Sequence, residues 1–226
     1  MADFHVRNIE GMRQVRIDLK DETVRAARGA LSNFSGTISF TPRLPAVGDV
    51  FRSIFARESR VRPFYSGTGS VILQPSVAGF HVFQVEEGEK WILEPGEYWA
   101  SESSVDLGLH RDPLFASFWA GDGFLSWKTT VSGTGKVAIN APGPVEQVEV
   151  NGELKVQGRL VLGRTSGLRF KSQRSARFPR NFISGQQRLR VYEGTGKALV
   201  SWTPYWNEYL HSRMTEGESI RSTIFE

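Results

Sequence analysis

The sequence predicts an all-β protein on three observations. A glycine signature recurs three times, apolar and polar residues alternate beside each copy, and turn residues separate the short apolar runs. The first signature is Ser66-Gly67-Thr68-Gly69. It returns as Ser132-Gly133-Thr134-Gly135 and as Glu193-Gly194-Thr195-Gly196, with first glycines 66 and 61 residues apart. Val71 and Leu73, Val137 and Ile139, and Ala198 and Val200 continue each copy in alternation. A glycine pair flanked this way reads as a tight turn or as a bulge within a β-ribbon.

A second marker keeps the same step. Gln14 to Leu19 alternates and leads to Glu22 and Gly29. His81 to Val85 leads to Glu89 and Gly96, and Gln147 to Val150 leads to Glu153 and Gly158. These glycines are 67 and 62 residues apart. A third marker stands ahead of each glycine signature: Gly48-Asp49 with Phe51, Gly121-Asp122 with Phe124, and Gly185 with Leu189. Each copy is a small β unit that cannot bury its apolar face alone, so three together must enclose one core. The expectation is a single pseudo-threefold β domain over residues 1–203, a barrel, sandwich or β-helix, with repeats of approximately 4–65, 66–131 and 132–203. The first unit carries extra residues around Arg57 to Arg62, and Val50 to Phe55 fits either period. Beyond the domain, Thr203 is a cap and Pro204 suits a first helical position. Tyr205/Tyr209 and Trp206/Leu210 are i,i+4 pairs, which predicts a short helix to about Arg213 and a polar tail to residue 226.

Composition removes several chemistries. The 226 residues contain no cysteine, which excludes disulfides, zinc–thiolate sites, iron–sulfur clusters and thiol nucleophiles. The net charge of +4 is mild, but its distribution is not. From Val82 to Asp112 two bases face eight acids, a net −6; from Asn151 to Arg190 ten bases face one acid, a net +9. Two such segments are either solvated faces or surfaces that meet a partner of opposite sign. The stretch Met1 to Gly11 lacks the apolar region of a signal peptide. Pro113 to Trp127 is broken by Gly121-Asp122-Gly123 and falls short of the ~20 residues a membrane span needs. A cytoplasmic protein without a transmembrane segment is expected.

Catalytic motifs are not met. His110-Arg111-Asp112 lacks the companions of a kinase loop. Gly133-Thr134-Gly135-Lys136 lacks the earlier glycine and the following Ser or Thr of a phosphate loop. His5, His81, His110 and His211 lie far apart in sequence, and no Gly-x-Ser-x-Gly elbow occurs. Glu86/Glu87 and Glu94/Glu97 are paired carboxylates without a partner that singles them out. The expectation is a non-enzyme with no catalytic residue, no metal and no cofactor. The binding candidate is basic: Arg164, Arg169, Lys171, Arg174, Arg177 and Arg180, with Phe170 and Phe178 between them. Arginine interleaved with aromatics binds phosphates and stacks bases; the competing reading is a solvated face or a subunit contact. Trp202, Tyr205, Trp206 and Tyr209 form the densest aromatic group, either a docking patch or a helix packed on the β core.

A turn such as Glu87-Gly88-Glu89, a glycine seven residues later, and a strand leading to Ser-Gly-Thr-Gly-x-Val occur together three times. This pattern resembles the family named for altered inheritance of mitochondria, member 24, over roughly Phe4 to Trp202. The resemblance implies three intertwined β repeats, each like a subunit of the tryptophan RNA-binding attenuation protein. Together they would form a short double-stranded β-helix or barrel-like sandwich. It implies trimers whose repeats build a pseudo-ring, and a link to the mitochondrial inner membrane in some members. No catalytic residue is carried over. The structural turn residues on this view are Gly29, Gly67, Gly69, Gly96, Gly133, Gly135, Gly158, Gly194 and Gly196. The function expected is a homo-oligomeric scaffold or protein-interaction module, a homotrimer or ring that engages a further protein. The alternative is a ring that binds RNA or another anion on its arginine-rich face. Head-to-tail assembly uses two different surfaces, and the acidic and basic segments are the expected pair. Reversing charge at Arg169 and Arg174 is then expected to weaken assembly.

Overall fold

The computed structural model describes residues 1–41, 62–76, 79–112, 127–157, 159–175 and 188–202. Their regular structure is entirely β. In chain order the strands are β1 (Asp3–Ile9), β2 (Met12–Ala26), β3 (Leu31–Thr41), β4 (Phe64–Leu73), β5 (Phe80–Val85), β6 (Lys90–Leu93) and β7 (Tyr98–Glu102). They continue as β8 (Val105–Arg111), β9 (Trp127–Gly133), β10 (Gly135–Asn140), β11 (Val145–Val156), β12 (Val161–Thr165), β13 (Leu168–Arg174) and β14 (Arg188–Ser201). Alternation decides which face of each strand is buried: in β2, Val15, Ile17 and Leu19 are buried, while Gln14, Arg16 and Asp18 are half-exposed.

Two antiparallel seven-stranded sheets result. The first runs β3-β4-β2-β7-β10-β5 with β1 beside β2, and the second runs β11-β14-β12-β6-β9-β8 with β13 beside β14. Neither closes on itself among the described residues, so the barrel-like expectation resolves into a sandwich of open sheets. Val85, Tyr98, Val137 and Ile139 from the first sheet share a core with Trp91, Leu93, Val131, Leu162 and Leu199 from the second. Burying each such side chain stabilises by about 1.5–3 kcal/mol. The helix predicted from Thr203 lies outside the described residues. So do Gly158 and the third marker, apart from Leu189.

The glycine signatures are not turns. Gly67 and Gly69 lie inside β4, Gly194 and Gly196 lie inside β14, and Gly133 and Gly135 flank the point where β9 in one sheet passes to β10 in the other. What they share is a close approach. A Cβ on Gly67 would stand 2.1 Å from the Thr37 carbonyl oxygen, on Gly133 2.7 Å from that of Ser104, and on Gly194 2.3 Å from that of Gly167. All three have positive φ, at 128°, 92° and 129°, so a side chain there meets both strain and a clash. The second glycines keep a common register: Gly69, Gly135 and Gly196 pair with Leu19, Val85 and Val150. True turns are found at Gly29 and Gly96, where the Ala30 and Glu97 N–H groups donate to the Ala27 and Glu94 carbonyls at 3.1 and 3.2 Å.

Two antiparallel junctions tie the chain together. The end of β2 pairs with β7, matching Val24, Arg25 and Ala26 to Glu102, Ser101 and Ala100. The β6 strand pairs with β12, matching Trp91, Ile92 and Leu93 to Thr165, Arg164 and Gly163. Beside them the Ala27 N–H donates to the Trp99 carbonyl at 2.7 Å, and the Glu94 N–H to the Leu162 carbonyl at 2.8 Å.

Candidate functional site

The face of the second sheet that carries Ile92 also carries five charged side chains, all buried: Glu94 after β6, Asp112 after β8, Lys128 on β9, Arg164 on β12 and Arg190 on β14. Strand parity puts them together. Lys128 lies opposite His110, and Arg164 lies opposite Ile92, two residues before Glu94. The Lys128 ammonium donates to Glu94 Oε1 at 2.6 Å and lies 2.8 Å from Asp112 Oδ2. Arg164 Nη2 donates to Asp112 Oδ1 at 2.5 Å, and Arg164 Nε donates to the Leu168 carbonyl at 3.0 Å. Glu94 receives weaker approaches, 3.8 Å each, from Arg164 and Arg190. His110, at the rim, donates Nε2 to Asp112 Oδ1 at 3.1 Å.

Three cations thus accompany two carboxylates, and the excess positive charge gathers around one ring. Lys128 Nζ lies 5.0 Å from the Phe170 centroid, and the Arg190 and Arg164 guanidinium carbons lie at 5.6 and 5.8 Å. The Phe170 face is negative in its quadrupole, and a desolvated cation–π contact contributes on the order of 2 kcal/mol. Tyr192 packs on the same ring at 5.5 Å, and burial first, then the Glu94 charge, pushes its phenol well above the usual range. Burial alone would raise the Asp112 carboxyl. The His110 hydrogen bond and the Lys128 and Arg164 charges overcome it and hold the group far below the usual carboxylate range. Both carboxylates are committed to cations, so the cluster's chemistry is that of a lock between β6, β9, β12 and β14. Among the described residues no three His, Asp or Glu side chains group to hold a metal ion.

A cleft of about 520 Å³ lies elsewhere, beside Asp21, Glu22 and Thr23 of β2. Its buried carboxylate, Glu102, is engaged by the backbone: Oε1 accepts from the Ala2 N–H at 2.7 Å and Oε2 from the Lys136 N–H at 2.8 Å.

Comparison with known proteins identifies the relatives of this arrangement. The family model described as mitochondrial biogenesis AIM24 matches residues 4–201. The chain belongs to this family. No curated protein matches it. Among solved structures, the crystal structure of protein SPYM3_0169 from Streptococcus pyogenes superposes with a TM-score of 0.69 at 16% identity. The match covers 96% of this chain and all of that one, so the two share a fold. No helix among the described residues is long and apolar enough to cross a membrane.

The basic residues singled out in the sequence of this AIM24-family chain separate in space. Arg169, Lys171 and Arg174 are exposed along β13. Lys171 is ion-paired to Glu193. Arg164 is not with them, because its side chain points into the cluster, and Phe170 is buried there too. Arg177 and Arg180 lie outside the described residues. The acidic and basic segments therefore meet within one chain, through Asp112–Arg164 and Glu94–Arg190. That takes Glu94, Asp112, Arg164 and Arg190 out of any head-to-tail charge contact, whereas Glu86, Glu87 and Asp106 of the acidic segment and Arg169, Lys171 and Arg174 of the basic one stay exposed. Sequence reasoning passed over Lys128, counted Arg190 only within the basic segment, and counted Glu94 and Asp112 within an acidic segment read either as a solvated face or as a partner surface. Strand parity is interrupted there: a register shift between Val161 and Gly163 leaves Leu162 in the core with Leu93 and Leu199, while Arg164 falls opposite Ile92 on the other face.

Proposed function

We propose that this protein is a non-enzymatic, homo-oligomeric β scaffold, a protein-interaction module in which three diverged copies of one β unit form a single domain over residues 1–203. The copies are the stretches of about 4–65, 66–131 and 132–203. The recurring close approach at Gly67, Gly133 and Gly194 supports the three-unit reading, as does the shared register of Leu19, Val85 and Val150. A cytoplasmic setting is part of the proposal.

The observation that carries the scaffold reading is the outer edge of the first sheet. There, among the described residues, β3 pairs only with β4, yet it exposes Phe34 at 42% and Phe40 at 47%. Long exposed edges that carry aromatic residues pair with other chains unless something blunts them. Light scattering on natively purified protein tests the reading. A stable mass of three or more protomers is expected, and a monomer at all concentrations overturns it. Exposed Arg169, Lys171 and Arg174 favour the second reading, an RNA- or anion-binding ring. Nucleic acid copurifying with the protein, with log affinity falling by about 0.7 per contacted phosphate against log salt, would put that reading first.

A further inference from the structure

We infer that protomers join head to tail by adding the Asn33–Ser35 stretch of β3 in one chain to the Leu154–Val156 stretch of β11 in another, a second copy of this chain being the partner. The inference deepens the scaffold reading and rests on it.

The argument starts from the two junctions inside the chain. At each, three residues of one unit pair with three residues of the next: Val24–Ala26 of β2 with Ala100–Glu102 of β7, then Trp91–Leu93 of β6 with Gly163–Thr165 of β12. The glycine signatures supply the correspondence for the remaining ends. Thr23, Lys90 and Glu153 each pair with the residue just before the first signature glycine: Ser66, Ser132 and Glu193. Leu154–Val156 is therefore the third unit's equivalent of Val24–Ala26 and Trp91–Leu93. On the receiving side, Phe34, Ser101 and Arg164 pair with Val71, Val137 and Ala198, each two residues past the second signature glycine. Asn33–Ser35 is therefore the first unit's equivalent of Ala100–Glu102 and Gly163–Thr165.

Both stretches lack the partner that their equivalents have. β3 ends the first sheet and β11 ends the second, so no described strand of this chain joins their outer edges. Burial tracks this difference. Ser101 and Arg164 are 0% and 1% exposed, whereas Phe34 at the same position is 42% exposed. Likewise Ile92 is buried while Lys155 is exposed. Among the described residues the chain thus makes one kind of junction twice and carries its two unmade halves on the edge strands of different sheets. The expected register is antiparallel: Leu154 opposite Ser35, Lys155 opposite Phe34, and Val156 opposite Asn33. The Lys155 stem would cover the Phe34 ring while its ammonium stays in water. A heterologous contact of this kind forms a ring where the rotation closes.

The test uses the absence of cysteine. Phe34→Cys chains and Lys155→Cys chains, distinguished by a tag, are co-expressed and oxidised; neither variant alone can form a 34–155 link. Both positions are exposed, so the substitutions spare the core. The expected result is a disulfide-linked heterodimer whose joined peptides carry positions 34 and 155. Phe34→Cys with Glu146→Cys, nine residues off register, should give at least tenfold less. A Phe34→Lys chain should shift the mass toward the protomer. An assembly by light scattering that forms no 34–155 link, links the off-register pair equally, or yields only 34–34 homodimers overturns the inference but not the scaffold reading. A monomer overturns both.

Discussion

The two internal junctions share a backbone and differ in what fastens them. At the first, β2 meets β7 through Val24, Ala26, Ala100 and Ser101, with Phe80, Trp99 and Ala30 packed beside them. At the second, β6 meets β12 through Ile92 and Arg164, and Glu94 takes the place that Ala27 holds at the first. Register and flanking hydrogen bond are the same at both, so strand pairing does not depend on the charges. A buried ion pair against a well-packed apolar contact is close to neutral in stability, because desolvation offsets the Coulomb gain. The second junction is therefore no stronger for its charges. It is more sensitive to losing any one of them.

That contrast is broken most sharply at one equivalent position. Lys128 and Arg62 each precede a signature serine by four residues, at the second and first junctions. Lys128→Ala leaves Glu94 and Asp112 buried with less compensation and should cost about 3–5 kcal/mol in chemical denaturation. Arg62 is half-exposed, donates to Thr129 at 3.0 Å and lies 4.4 Å over Tyr98; Arg62→Ala should cost about 1 kcal/mol. Equal losses would mean that the ionic cluster is solvated in solution. Replacing all five together, Glu94→Leu and Asp112→Leu with Lys128→Met, Arg164→Met and Arg190→Met, should recover most of the Lys128→Ala loss. Additive losses in that variant would show that the charges contribute net stability.

Acid should separate the junctions next. The Asp112 carboxyl is held below its ordinary value in the folded state, so the folded protein binds fewer protons there than the unfolded chain. Its contribution is present above the ordinary carboxylate value of about 3.9 and is lost as pH falls from there through the folded value. Hydrogen exchange followed on acidification should show β6 and β12 losing protection before β2 and β7. In Asp112→Asn that order should vanish and the acid limb should flatten, from a lower starting stability. Simultaneous loss in the unmodified protein would assign the acid response elsewhere.

The sequence carried the fold further than the site, for a physical reason. Strand alternation is local, so Val15-Ile17-Leu19 and Val137-Ile139 announced β2 and β10 directly. The glycine signatures announced something special, read as a tight turn or a bulge, and at the first copy a bulge between Lys20 and Glu22 lies opposite Gly67. Their cause is the approach of Thr37, Ser104 and Gly167, which is a tertiary fact. The cluster is less visible still. Glu94 and Arg190 are separated by most of two units, and a charged residue in a turn-rich stretch reads as solvated by default. Only pairing β6, β9, β12 and β14 reveals that one face carries all five charges.

The smallest expected effect lies one residue from the largest. On β13, Phe170 points inward to three cations, while Arg169 and Lys171 on either side point to solvent, with Lys171 paired to Glu193. Exposed pairs contribute little because water screens them and side-chain entropy opposes them. Arg169→Ala and Lys171→Ala should each stay within about 0.5 kcal/mol in denaturation, while Phe170→Ala removes the shared ring and should cost about 3–5 kcal/mol. Charge reversal at Arg169 and Arg174 should also leave the assembled mass unchanged by sedimentation, because the contact inferred between protomers runs through β3 and β11 and leaves β13 out. A fall in mass on reversal would return these arginines to a subunit interface, and would mean that the internal pairing of the two segments leaves enough acid on the surface to recruit them.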